Sequence, residues 1–149
     1  MASQFKRVKV KGGIEALRKR VETPGTVDAG IIDAGKHKSG DDTVAEIGYK
    51  HEFGIGVPER SFMRSTVHAK KKATISLQKK LLIQIIRGTM KVEAGLGLLG
   101  EFMSDAIRRK IVAINTPANS PQTIKAKGSS NPLIDTGQMK NSITYEVNR

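Results

Sequence analysis

The sequence contains no cysteine, so disulfides and thiolate metal sites are excluded, and catalysis through a cysteine nucleophile is excluded with them. Tryptophan is also missing, and aromatic residues make up only 4% of the chain. Proteins that hold single-stranded nucleic acid stack its bases on several exposed aromatic side chains. Recognition of bases is therefore not expected, and a contact with the nucleic-acid backbone is the most that remains.

Long apolar runs are absent as well. Residues 1–11 mix Phe5, Val8 and Val10 with four basic residues and lack the continuous apolar segment of a signal peptide or membrane span. We expect a soluble, non-secreted protein with no membrane partner. A length of 149 residues with 38% hydrophobic content fits one domain over residues 1–149, with a basic N-terminal arm of about residues 1–12.

The motifs of metal and nucleotide sites are incomplete. The three histidines lack the paired spacing of a helical metal site. Residues 95–100 match G-x-G-x-x-G in letters only, because no convincing strand precedes them. We expect neither a metal nor a cofactor.

Two short motifs are compatible with catalysis, and a structural explanation is preferred for both. His51 beside Glu52 resembles an acid-base pair, but a histidine on a helix face usually makes an ordinary hydrogen bond. Residues 135–137, Asp-Thr-Gly, match the triplet of aspartic proteases, which needs flanking apolar strands. A helix-like segment follows instead, so we interpret Asp135 as a helix N-cap with Gln138 at the third helical position. An enzyme is not expected.

Positive charge is the most prominent feature of the amino-acid composition. The formal net charge is +12. Between residues 60 and 91 the chain has nine basic residues and no acidic one: Arg60, Arg64, Lys70, Lys71, Lys72, Lys79, Lys80, Arg87 and Lys91. Like charges at helical spacing repel each other and are normally interleaved with glutamate. A solvated face and a face for an anionic partner both remain open.

Hydrophobic periodicity predicts an α+β fold. We expect a short helix over residues 14–21, a strand over 26–34, and a helix that begins after Thr43, has Glu46 in a capping box, and ends near Gly54. A turn of helix near 122–126, a short helix over about 135–142 and a final strand over 143–147, antiparallel to residues 27–32, complete the chain.

Two long amphipathic helices dominate the middle of the chain. The first covers residues 62–90 on a ridge of Ala69, Ala73, Leu77, Leu81 and Ile85. The second covers about 92–114, with a stripe of Leu96, Leu99, Met103, Ile107, Ile111 and Ile114. Glycines at 95, 97 and 100 imply either a later start or a closely approaching backbone. These segments predict a long helical hairpin packed on a small antiparallel sheet, or one helix bent at Gly88.

Three sequence islands carry a resemblance. They are YKHEFG at residues 49–54, PERSFMR at 58–64 and PLIDTGQM at 132–139. Their order and spacing resemble the tail-completion and neck proteins of long-tailed bacteriophages, a group similar to lambda-type minor tail and Mu-like virion morphogenesis proteins. One departure is Ser61, where that family commonly has proline.

The resemblance implies a structural virion protein that completes the tail or joins it to the capsid connector. It also implies a homo-oligomeric ring, six-fold in the virion, that contacts the connector, stopper or tail terminator. Non-specific contact with packaged DNA is compatible with this role. The location would be the neck or tail of the virion, after assembly in the host cytoplasm.

Partner-binding candidates follow from the islands and the basic stretch. We expect Phe62 to be a buried anchor, and Arg60 and Arg64, one helical turn apart, to pair with acidic groups of a neighbour. The full set of candidates is Arg60, Phe62, Arg64, Lys70, Lys71, Lys72, Asp135, Thr136 and Met139. Two other functions remain open: a basic DNA-binding or DNA-packaging accessory protein, and a small toxin-like or regulatory prophage protein.

Overall fold

The computed structural model describes residues 11–22, 25–32, 34–38 and 40–148, and within them it contains six helices and one two-stranded sheet. In chain order the elements are α1 (Gly13–Val21), β1 (Thr26–Ile31), α2 (Val44–Phe53), α3 (Met63–Arg87), α4 (Val92–Ala113), α5 (Pro121–Lys127), α6 (Gln138–Asn141) and β2 (Ile143–Asn148). The predicted α+β class is confirmed, with the α3–α4 hairpin packed on a small sheet. The N-terminal arm at residues 1–10 lies outside the described residues.

The sheet consists of β1 and β2 in antiparallel pairing, as expected. Thr26 lies opposite Asn148, and Ile31 lies opposite Ile143. The first strand is shorter than the predicted 26–34, because the chain leaves the sheet after Ile31; Lys36 then forms an isolated bridge with Thr43 instead. The bridge brings the chain directly to the start of α2.

Gly88 separates the two long helices. It ends α3 in the left-handed conformation, with φ 72°, and its N–H donates to the carbonyls of Gln84 and Ile85. Glycine adopts this conformation without the steric cost of a Cβ atom, which makes it the commonest helix terminator. The alternative of one helix bent at Gly88 is therefore wrong, and the hairpin is confirmed.

The glycines of α4 allow the sheet to pack closely against the helix. At Gly100 an added Cβ would lie 2.5 Å from the Tyr145 ring and 2.8 Å from a methyl group of Val27. The helix begins at Val92 and includes all three glycines, so a later start is wrong. The approaching groups at Gly95, Gly97 and Gly100 are side chains, not another backbone.

The hydrophobic core lies where α4 meets α2, α6 and β2. Its buried members are Val44, Phe62, Ile107, Ile111, Ile114, Leu133, Met139 and Ile143. The predicted apolar stripe of α4 therefore faces the core. The predicted ridge of α3 is buried only in part. Leu81 is buried, whereas Ala69 and Ala73 are exposed. All seven residues from 67 to 73 are exposed, so this stretch of α3 adds no buried side chain to the core.

The caps of the shorter helices differ in origin. Thr43 and Glu46 form the predicted capping box at the start of α2. The prediction for Asp135 is wrong, because Gly137, in the left-handed conformation with φ 77°, is the residue that precedes α6. The hydroxyl of Thr136 accepts a hydrogen bond from the Gln138 N–H at 3.3 Å.

Among the described residues, no helix has the length and apolar character needed to cross a membrane.

Candidate functional site

Glu52 at the end of α2 caps the start of α3. The helix has no side-chain cap of its own, and Phe62 occupies its N-cap position. Oε2 of Glu52 accepts hydrogen bonds from the N–H groups of Phe62 and Met63, both at 2.8 Å. Oε1 accepts from the Arg64 N–H and the Ser61 hydroxyl, again at 2.8 Å. The first N–H groups of a helix have no partner within the helix, so a buried carboxylate is well placed to satisfy them.

The charge of Glu52 is favoured by these donors. Burial alone raises the pKa of the carboxyl group, but the hydrogen bonds from Met63, Arg64, Ser61 and Phe62 together outweigh burial and hold the pKa below its ordinary value of 4.5. Glu52 is therefore an anion at neutral pH. Ser61 contributes one of the donors through its hydroxyl.

Arg64 is paired within its own chain. Its Nε atom lies 3.1 Å from Oε1 of Glu52, and one of its terminal nitrogens lies 2.8 Å from Oε1 of Glu59. The guanidinium also lies over the Phe53 ring, 4.6 Å from the centroid. The hydrogen bond with Glu52 is the main reason that the pKa of Arg64 is raised. The acidic partners of Arg64 within the described part of the chain are Glu52 and Glu59, and pairing with acidic groups of a neighbour stays a prediction.

Arg60 joins two distant segments in the interior. Its side chain is only 4% exposed, and it precedes α3 instead of lying one helical turn from Arg64. Nε donates to the Pro117 carbonyl at 2.8 Å, and a terminal nitrogen donates to Oδ1 of Asn119 at 3.2 Å. Burial lowers the pKa of Arg60 from its very high ordinary value. Arg60 thus fixes residues 117–119 against the start of α3, and it is not presented to a partner.

His51 is held neutral beside Arg60. Burial, followed by the charges of Arg60 and Lys127, lowers the pKa of His51 to about 4. Its Nδ1 atom lies 3.4 Å from a terminal nitrogen of Arg60. A guanidinium can only donate, so Nδ1 must accept, which leaves the ring proton on Nε2. His51 is therefore a structural acceptor at neutral pH.

The third island, residues 132–139, lies across a small cleft of about 270 Å³ from His51 and Lys127. The cleft is lined by His51, Lys127 and residues 135–139, among others. Nζ of Lys127 donates to the Pro132 carbonyl at 3.2 Å. Burial lowers the pKa of Lys127, and Asp135 acts in the opposite direction. No group of three histidine or acidic side chains that suits a metal ion occurs in the described ranges.

The outer surface of α3 is strongly basic. Lys70, Lys71 and Lys72 are exposed, and the ion pairs found within the described part of the chain involve none of them. Beneath this stretch an open groove of about 780 Å³ separates α3 from β1, and α4 forms its floor. Met63, Val67 and Met103 supply apolar groups to its walls.

The nine candidate residues therefore divide into two groups. Arg60, Phe62 and Met139 are buried, and Arg64 is occupied by Glu52 and Glu59. The exposed candidates are Lys70, Lys71, Lys72, Asp135 and Thr136, together with the paired Arg64. The structure brings Phe62 and Met139 into one core, but it does not bring the lysines near Asp135 and Thr136 in any common pocket.

Sequence reasoning missed two features. The capping role of Glu52 had no signal, because ten residues separate it from the Phe62 N–H, whereas a capping box spans three. The groove had a weak signal in Val67 and Ile75, which are apolar residues outside the predicted ridge.

Comparison with protein-family models, with curated proteins and with solved structures finds no match for this chain. What can be inferred about function therefore comes from the sequence islands and from the geometry of the residues around Glu52 and α3.

Proposed function

We propose that the protein is a structural virion component of a tailed bacteriophage that completes the tail or joins it to the capsid connector in the neck. The observation that carries this proposal is the convergence of the three islands on one cluster. Glu52 of the first island accepts a hydrogen bond from the N–H of Phe62, in the second island, at 2.8 Å, and Phe62 shares the hydrophobic core with Met139 of the third island. The first, second and third islands thus meet around Phe62.

The convergence supports the proposal because it gives a structural reason for the order and spacing of the three islands, which resemble those of the phage family. Glu52, Phe62 and Met139 stabilise the fold, so a protein with these islands in this order has reason to share the fold of the family that they resemble. Fold likeness alone does not establish a function. The exposed basic face of α3 supplies the second element, a surface that suits an acidic neighbour or DNA in a channel.

Ring assembly would multiply weak contacts on this face. Each lysine contact with an acidic neighbour contributes little when it is exposed to solvent. Rotational symmetry repeats the contact in every copy, and the joint is stable when many copies bind at once. A ring of six copies, bound to the connector, stopper or tail terminator, is the arrangement that we propose.

Electron microscopy of a phage that carries a stop codon early in this gene tests the proposal. We expect filled heads and separate full-length tails in the lysate, and joined particles when the gene is supplied in trans. Normal joined particles from the mutant phage would contradict a joining or completion role.

A charge-reversal variant then tests the basic face. Lys70→Glu, Lys71→Glu and Lys72→Glu together should leave the fold intact, because the three side chains are exposed, but should fail to restore joined particles. The matched control reverses three exposed lysines outside α3: Lys19, Lys36 and Lys125. Equal complementation by both triple variants would remove the basic face of α3 from the proposal.

The runner-up is a basic DNA-binding or DNA-packaging accessory protein. The observation that favours it is the run of nine basic residues without an acidic one between residues 60 and 91. DNA affinity of the isolated protein should then fall steeply with salt, and reversal of Lys70, Lys71 and Lys72 should reduce the slope of log K against log salt by about 3. No measurable DNA binding at low salt would eliminate this alternative.

A further inference from the structure

The groove beside β1 is bordered by a strand with an open edge. Val27 and Ala29 of β1 line the groove, and no residue of β2 does, so the groove lies on the side of β1 that faces away from its partner strand. Among the described residues, the backbone of β1 pairs with β2 and with no other segment. An edge of this kind presents alternate N–H and carbonyl groups to an incoming strand.

The opposite wall is the middle of α3, which the rest of the described chain covers poorly. All residues from 67 to 73 of α3 are exposed, which means that even the side chains that point toward the groove contact little. Val67 is 56% exposed. The helix is held at its start by Glu52 and near its end by packing of Leu81, so its middle bridges the groove without filling it.

The charge around the groove favours an occupant with negative charge. None of the side chains that line it is acidic, and Lys71 stands on its rim beside the exposed Lys70 and Lys72. A second copy of the chain would bring a net charge of +12 to this rim. Residues 1–10 contain three basic residues and no acidic one, so they carry the same unfavourable sign.

We propose that this groove binds an extended segment of another protein, in which apolar residues alternate with acidic ones, by adding a strand to the open edge of β1. The six residues of β1 span about 20 Å, so a segment of about six residues matches the edge. Its apolar side chains enter the space floored by Leu99 and Met103, and its carboxylates lie near Lys71. Backbone pairing provides affinity, and the alternating side chains provide specificity.

Selection from a random peptide library tests the proposal and does not require the partner to be identified. Ten-residue peptides are selected on the full chain, with no selection against binding to the Val67→Glu variant. The enriched sequences should be acidic and should alternate apolar with polar residues. Enrichment of basic sequences, of helical periodicity, or of no sequence at all would overturn the proposal.

A matched pair of variants then locates the binding. Val67 and Val112 are both about half exposed on long helices, but Val112 lies away from the groove, on α4. Val67→Glu should weaken the best peptide at least tenfold, whereas Val112→Glu should leave its affinity unchanged. Methylation of alternate backbone nitrogens of the peptide should also abolish binding, because a methylated nitrogen cannot donate to the edge of β1.

Two controls exclude the other occupants. Sedimentation compares the isolated wild-type chain with the Val67→Glu variant, and the two should show the same oligomeric state. Self-association of the wild type that Val67→Glu abolishes would assign the groove to a second copy. Deletion of residues 1–10 should leave the peptide affinity unchanged. A large gain in affinity on deletion would mean that the chain fills its own groove, and it would refute the proposal.

Discussion

Replacement of Glu52 by glutamine tests the capping role most directly. The substitution preserves the shape of the side chain but removes its charge and one of its two acceptor oxygens. In the wild type, Oε2 accepts from two donors at the start of α3, and Oε1 accepts from two others and from Nε of Arg64. The amide NH₂ of glutamine would face two of these donors, and neither could donate to it.

The expected loss of stability follows from those contacts. A hydrogen bond to a charged acceptor is worth about 1.5–3 kcal/mol, and an unsatisfied buried donor costs a similar amount. Allowing for partial relaxation of the helix start, Glu52→Gln should lower the free energy of unfolding by about 3 kcal/mol at neutral pH. For a chain of this size the melting temperature should fall by roughly 6–12 °C.

Glu59→Gln is the matched control. Glu59 also pairs with Arg64, but its side chain is 57% exposed. An exposed ion pair contributes at most about 1 kcal/mol, so the control should be nearly as stable as the wild type. Chemical denaturation of the three proteins measures the comparison.

Acid titration separates the capping charge from a purely steric effect. Because the folded-state pKa of Glu52 lies below 4.5, its contribution to stability is present above that pH and is lost as the pH falls through the folded-state value. The stability difference between wild type and Glu52→Gln should therefore shrink below pH 4.5. A difference that stays constant through this range, or equal stability at neutral pH, would refute the capping argument.

Three further substitutions follow from the packing and from the pKa of His51. Phe62→Ala should cost about 3–5 kcal/mol because its ring is fully buried, whereas Phe53→Ala, at a ring that is 48% exposed, should cost much less; thermal denaturation compares them. Gly100→Ala should destabilise the protein, since the new Cβ collides with a tyrosine ring, but Gly97→Ala, with 3.6 Å of clearance, should be neutral or stabilising by up to about 1 kcal/mol. Stability of the wild type should fall as the pH drops from 6.5 to about 4, because the unfolded chain binds a proton that His51 resists, and His51→Gln should lose this dependence.

The elements that depend on local pattern could be predicted from the sequence. The capping box of α2, the stripe of α4 and the antiparallel pairing of the two strands are all confirmed. The capping box and the stripe are encoded by residues a few positions apart, and each strand is encoded by local alternation; the pairing is predicted because the sequence indicates two strands. The end of α3 at Gly88 is encoded in the same way, by a residue that tolerates a positive φ.

The features that the sequence does not predict have two different origins, one local and one tertiary. Asp135 has the spacing of a cap, but Gly137 adopts the left-handed conformation that starts α6. The sequence suggests that Arg60 faces a neighbour, although the chain folds back so that residues 117–119 accept its hydrogen bonds. No local pattern indicates which carbonyl groups will surround a guanidinium, so the burial of Arg60 depends on tertiary contacts, whereas the start of α6 at Gly137 is a local feature of the backbone.

The two ends of α3 are held by contacts with the rest of the chain, whereas its middle is exposed. Glu52 anchors the start of the helix, and the packing of Leu81 anchors the part near Gly88. Residues 67–73 contribute no buried contact, so their composition is free to follow a requirement other than stability. A solvated helix would gain from acidic residues placed among the lysines, and this one has none. The absence of acidic residues therefore agrees with selection for an anionic partner, whichever protein or nucleic acid supplies it.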